Sequence, residues 1–156
     1  MSRTEYLKLD NQLCFSLYAA SRAISRMYRP LLDELGLTYP QYLVLLVLWE
    51  REHSTVKELS EVLDLDSGTL TPMLKRMEAA DLIERKRSSE DERVVVVRIT
   101  EAGRALEEKA VCIPQSLFAS SSLPLEQLIE MNEQLKLLMR QINQASQSDG
   151  VRVSKT

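Results

Sequence analysis

The sequence predicts a mainly α-helical protein with one small β-hairpin. Apolar residues recur at steps of three and four over most of the chain, and helix breakers are scarce, with 4 Gly and 5 Pro in 156 residues. Only residues 82–99 depart from that period, and they are rich in β-branched residues. The length predicts a single domain over 1–156, with enough chain to bury a core without disulfides or metal.

Leu9, Leu13, Leu17, Ala20, Ile24, Met27 and Leu31 lay one apolar stripe along a long helix, with Asp10 or Asn11 placed to cap its start. Cys14, Tyr18, Ser21, Ser25 and Tyr28 share a neighbouring flank, and Gly36 is a C-terminal stop. Thr38 or Tyr39 caps the next helix, and Pro40 suits its first turn, where a missing N–H costs nothing. Residues 41–52 are its body, with Leu43, Leu46, Val47 and Trp49 apolar, and His53-Ser54-Thr55 breaks it. Thr55 followed three residues later by Glu58 is a capping box. It opens a short helix over 56–63 that should turn Leu59, Val62 and Leu63 inward. Asp66 or Ser67 then caps a helix over 68–80 with Leu70, Leu74 and Met77 as its buried face. Residues 82–87 and 93–99 read as strands around a polar tip at 88–92. Thr100 caps a helix running toward Val111, which Pro114 should kink or end. Leu128, Met131, Leu135, Leu138 and Ile142 mark a last helix over 123–145, and the polar tail after Gln144 is expected to fray.

Short helix, tight turn, second helix and hairpin in that order make a winged helix-turn-helix, in which the second helix enters the major groove of DNA. That helix begins with small hydroxylated residues. Ser67, Thr69 and Thr71 can bond base edges or phosphates, although hydroxyls in a first turn often do no more than cap it. Lys75 and Arg76 lie further along and suit phosphates. The hairpin carries Arg85, Lys86, Arg87, Arg93 and Arg98, and an arginine near its tip suits the narrow minor groove. Asp91 would not meet DNA favourably and is placed to orient Arg93. A basic hairpin alone can be a solvated face. The joint pattern is what points to DNA, and a net charge of −3 confines any binding to a local basic patch.

The stripes at the two chain ends have no partner inside this small unit. They are expected to pair two subunits through residues 9–36 and 101–145, leaving 37–100 as the DNA-binding part; the alternative is a hairpin of the two end helices within one chain. A dimer would match a pseudo-palindromic operator. The longest apolar run, residues 42–49, cannot span a membrane, and the first ten residues lack a secretory signal's apolar core. A cytoplasmic protein with reduced thiols at Cys14 and Cys112 is expected. Two cysteines and one histidine predict no metal site, and no cofactor motif is present.

The stretches Leu37-Thr38-Tyr39-Pro40-Gln41, Ser67-Gly68-Thr69-Leu70-Thr71, Asp91-Glu92-Arg93 and Ile99-Thr100-Glu101-Ala102-Gly103 resemble the MarR family of transcription regulators, from about residue 9 to 144. Residues 9–15 and 17–22 are similar to its organic-hydroperoxide sensors, the OhrR branch. The resemblance implies that Cys14 is the reactive cysteine and that Tyr28 and Tyr39 reach it from the other subunit. It also implies that Tyr18 lies nearby and that Arg93 is the wing arginine. Cys14 near a helix start agrees with this, since free N–H groups and the dipole favour a thiolate and tyrosine hydroxyls can donate to it. Leu13, Phe15 and Leu17 would give an apolar path. A thiolate attacking a hydroperoxide becomes a sulfenic acid, which condenses with another thiol. On the helix alone a small core residue is the better reading of Cys14, and the resemblance is what reverses it. Some members of the branch pair the first cysteine with a second after the wing. Cys112 lies in that region; either it resolves Cys14, or a low-molecular-weight thiol does.

The function these residues imply is a homodimeric repressor that releases its operator when an organic hydroperoxide oxidises Cys14. The alternatives are a regulator gated by a reversible phenolic ligand, with Cys14 structural, and a thiol peroxidase. The enzyme reading finds no Cys-x-x-Cys and no use for the hydroxylated helix or the wing arginine.

Overall fold

The structure is a computed structural model and describes residues 3–149. The chain divides into two compact units that meet between Leu117 and Phe118.

The first unit opens with α1 (Arg3–Tyr6), a 3-10 turn (Leu9–Asn11) and α2 (Leu13–Glu34). The expected helix start at Leu9 is therefore corrected to Leu13, and neither Asp10 nor Asn11 caps it: the N-cap is Gln12, without a side-chain cap bond. The two amides hold the turn instead. Asn11 donates to the Glu5 carbonyl at 2.8 Å, and Gln12 donates to the Tyr6 and Lys8 carbonyls. After Gly36, at φ +68°, α3 (Tyr39–Arg51) is capped by Thr38. Gln41 returns the bond in a second capping box, its Oε1 accepting from the Thr38 N–H at 2.9 Å.

His53-Ser54-Thr55 does more than break α3. It forms β1 (His53–Thr55), which pairs antiparallel with β3 (Val95–Ile99), Ser54 opposite Val97. With β2 (Ile83–Arg87) on the other side of β3, the sheet order is β1-β3-β2. Three residues are too few to display a strand period, so the sequence showed only two strands.

α4 (Val56–Leu63) starts at the expected box, with the Thr55 N–H donating to Glu58 at 2.7 Å. Val62, expected inward, is exposed. Val56, Leu59 and Leu63 define the inner face of these two turns, and Val62 lies off it. α5 (Ser67–Ala79) is capped by Asp66, and Leu70, Met73, Leu74 and Met77 are buried. They join Val44, Leu45 and Leu48 of α3, Leu59, Ile83, Val97 and Ile113 in one core that seats α5 and the hairpin on α3.

The single helix expected over 101–111 is two short ones, α6 (Glu101–Ala105) and α7 (Glu107–Ala110), followed by α8 (Cys112–Ser121). Pro114 ends nothing: it is the third residue of α8, in a first turn that needs no N–H from it. Gly103 is required by close approach, because a Cβ there would collide with the Leu82 carbonyl, while its own carbonyl accepts from Trp49 Nε1 at 3.0 Å.

In the second unit α9 (Leu125–Asp149) continues past Gln144, so the expected fraying there is corrected; residues 150–156 lie outside the described residues. Ile129, Met131, Met139 and Ile142 are exposed on it. Among the described residues no single helix is long and apolar enough to cross a membrane.

Candidate nucleic-acid interface and thiol site

The cap of α5 sets the first turn that would face DNA. The Asp66 carboxylate accepts from both the amide and the hydroxyl of Thr69, each at 2.9 Å. Those bonds hold its carboxyl below the usual range, the hydroxyl bond contributing most. The Thr69 hydroxyl proton is thus engaged, leaving its oxygen as an acceptor. Ser67 and Thr71 line a cleft of about 500 Å³ between α4, α5 and the hairpin, whose far wall includes Arg85, Arg93 and Val94. Lys75 and Arg76 stand exposed further along α5, and Arg87 ends β2, also exposed. None of these three makes an ion pair among the described residues.

The wing tip is built around Arg93. Its backbone N–H and its Nε donate to Asp91 Oδ1 at 3.0 and 3.1 Å, and its Nη2 reaches Oδ2 at 3.3 Å. Asp91 does orient Arg93, and its carboxyl is held below the usual range mainly by that side-chain bond. The basic strip is less free than the sequence suggests. Arg85 is half-buried and bonded to Glu78 of α5, and Lys86 pairs with Glu84 at 2.9 Å.

Cys14 is the second residue of α2, nearer the helix start than the expected full turn, and its thiol is free and exposed. Its Sγ lies 4.0 Å from Gln12 Oε1. Tyr18 is exposed, and its hydroxyl accepts from Arg22 Nη1 at 2.9 Å. Tyr28 and Tyr39 come together, rings 6.2 Å apart, but not with the Cys14 of their own chain. Fourteen residues of one helix separate Tyr28 from Cys14, about 21 Å at 1.5 Å per residue.

Tyr42 extends the aromatic run, 6.2 Å from Tyr39 on one side and 6.2 Å from Trp49 on the other. Sequence reasoning misses it, although the spacing that could have found it is there: Tyr39 and Tyr42 are three apart on one helix face. Burial, first, and then Tyr28, Tyr39 and Cys112 push the Tyr42 phenol up to about 12. Burial and Tyr39 also raise Tyr28. Cys112 is a free, exposed thiol within electrostatic reach of Tyr42. A cavity of about 350 Å³ beside it is lined by Tyr42, Leu46, Trp49, Ala110, Val111 and Pro114, with Glu50 and Glu107 among its walls. Among the described residues no group of three or more His, Cys, Asp or Glu side chains converges to hold a metal.

A recognition helix seated beside a basic hairpin makes this a winged helix-turn-helix DNA-binding protein. A family model described as the transcriptional regulator SarA/Rot matches residues 26–110. The organic hydroperoxide resistance transcriptional regulator of Bacillus subtilis (strain 168) is 53% identical over 143 residues, 92% of this chain and 97% of that one. The reduced AbfR of Staphylococcus epidermidis bound to DNA superposes with a TM-score of 0.73 at 37% identity, covering 90% of this chain and 99% of that one. Its disulfide form gives 0.60 at 39%, covering 88% and 96%. The chain belongs to the MarR family of transcription regulators, in the branch of the Bacillus subtilis hydroperoxide regulator. These similar proteins are regulators rather than enzymes, which sets aside the thiol peroxidase reading.

Proposed function

We propose that the chain is a cytoplasmic, homodimeric repressor that leaves a pseudo-palindromic operator when an organic hydroperoxide oxidises Cys14. The observation that carries the reading is the free, exposed Cys14 thiol in the first turn of α2, amid the exposed apolar side chains of Leu13 and Phe15. The similarity to a hydroperoxide-resistance regulator supports the same reading. Tyr28 and Tyr39 belong together but lie far from their own chain's thiol, so a dimer in which they meet the partner's Cys14 gives both features a role. All of 1–156 acts as one functional domain, with 9–36 and 101–145 pairing subunits and 37–100 meeting DNA. Ser67, Thr69 and Thr71 read the major groove; Lys75, Arg76 and Arg87 meet phosphates; Arg93, oriented by Asp91, enters the minor groove. The sulfenic acid at Cys14 is resolved by Cys112 of the partner or by a low-molecular-weight thiol.

The cavity beside Tyr42 and Trp49 favours a second reading, a reversible phenolic ligand, since its volume falls in the range of small-molecule sites. A mobility shift with a DNA duplex enriched by this protein from a random pool separates the two. Cumene hydroperoxide should release wild type and leave Cys14→Ser bound; release of both by peroxide would leave only the ligand-gated reading.

A further inference from the structure

Arg85 lies in the middle of β2, opposite Val97, on the hairpin that carries Arg93. By composition it belongs to the basic strip that would face DNA. In the structure it is committed inward. Its Nε and Nη2 donate to Glu78 Oε2 at 3.0 and 2.6 Å, and its backbone N–H donates to Glu78 Oε1 at 3.0 Å. One carboxylate in the last turns of α5 thus holds both the side chain and the main chain of β2. The two side chains, Arg85 at 22% and Glu78 at 36% exposed, are turned toward each other between α5 and the hairpin.

We propose that Glu78 and Arg85 are positioning residues for operator recognition, fixing the angle of the hairpin against α5 so that Arg93 meets its groove while the start of α5 occupies the other. The geometry gives the pair leverage. Five residues separate Arg85 from Glu90 at the tip, at most about 16 Å at 3.3 Å per residue. A turn of about 10° at the base carries the tip through about 3 Å, as much as a hydrogen bond is long. The cleft between helix and hairpin leaves room for that turn.

This inference rests on Arg93 being the wing's DNA contact, and a double-mutant cycle tests the two separately. Full-length wild type, Glu78→Gln, Arg93→Ala and the double variant are titrated against a duplex enriched by wild type from a random pool, and against an unselected duplex. Glu78→Gln removes a negative charge near DNA, so plain electrostatics would tighten binding. Positioning requires the opposite on the enriched duplex, about tenfold weaker, with the unselected duplex bound as well as before or better. In the Glu78→Gln background Arg93→Ala should cost only a small part of what it costs in wild type. Equal costs in both backgrounds, or tighter binding of both duplexes, overturn the proposal. Arg93→Ala without effect in wild type overturns the wing reading instead. If Glu78→Gln melts too low to assay, Arg85→Lys carries the same cycle: it keeps the charge and loses the two-pronged grip, so wild-type behaviour from it also overturns the proposal.

Discussion

Tyr42 is 4% exposed, and its phenol titrates at about 12 rather than 10.0 because burial disfavours the phenolate, with Tyr28, Tyr39 and Cys112 adding to the effect. A raised acid is protonated in the folded state over a range where the unfolded chain has already ionised. The stability it contributes is complete below pH 10 and is lost as pH rises from 10 toward 12, on the order of 3 kcal/mol in all. Urea unfolding of wild type and Tyr42→Phe at a series of pH values should diverge only in that window, with Phe losing less; parallel curves would mean that the ring ionises freely. If Tyr28 and Tyr39 donate to the partner's Cys14, Phe at either position should slow alkylation of Cys14 by iodoacetamide near neutral pH, while the reduced protein still binds DNA. Identical rate–pH curves would remove both from the mechanism. Cys14 and Tyr39 stand out as candidates in the sequence because stretches that resemble the family carry them. Tyr42 belongs to no such motif, and its role emerges only when α3 packs Tyr39, Tyr42 and Trp49 into one aromatic run.

The elements that were legible are those with a local chemical signature. The capping box at Thr55 and Glu58 and the cap at Asp66 both fix helix starts through bonds between residues three apart, which sequence spacing reveals. β1 and the breaks between α6, α7 and α8 depend instead on partners far along the chain. β1 exists because β3 offers it an edge, and α6 is placed by Gly103 against Leu82 and Trp49. Thr55 belongs to both kinds, ending β1 and capping α4, so Thr55→Ala should cost about 1 kcal/mol or more of stability by thermal melt. Glu58, held below the usual carboxylate range first by the Thr55 amide, contributes stability that is present above that range and lost as pH falls through it. The hairpin is tested by binding. Arg93→Ala should weaken the enriched duplex by about 1–3 kcal/mol, while Lys75→Ala or Arg76→Ala should weaken all duplexes alike and lower the salt slope by about one. An Arg93→Ala effect equal on every duplex would make the wing a phosphate contact only.

Across the whole molecule, the described surface leaves Leu9, Leu13, Phe15 and Tyr18 exposed in the first unit and Ile129, Met131, Met139 and Ile142 exposed on α9. Apolar surface of this extent calls for a partner, and a second copy would cover both ends and set the separation of two recognition helices at about 34 Å. In such a dimer the redox switch must act through geometry. Sulfenic acid formation adds little bulk, but with the partner's tyrosines packed on Cys14 a disulfide or mixed disulfide there would displace them and the helices that carry them. A shift of a few Å then takes one recognition helix off its half-site. Turning occupancy from mostly bound to mostly free requires the oxidised form to lose on the order of 3–5 kcal/mol. Cys14→Ser should therefore bind DNA and ignore organic hydroperoxide, since serine cannot reach the sulfenic state. Cys112→Ser identifies the thiol that captures the sulfenic acid. Inter-subunit bands on a non-reducing gel that vanish with either substitution would make Cys112 the resolving thiol. Release by oxidised Cys112→Ser only when a small thiol is supplied would assign that step to the external thiol. If Cys112→Ser is released by peroxide alone and wild type forms no inter-subunit band, a disulfide is not needed and the sulfenic acid itself must move the helices.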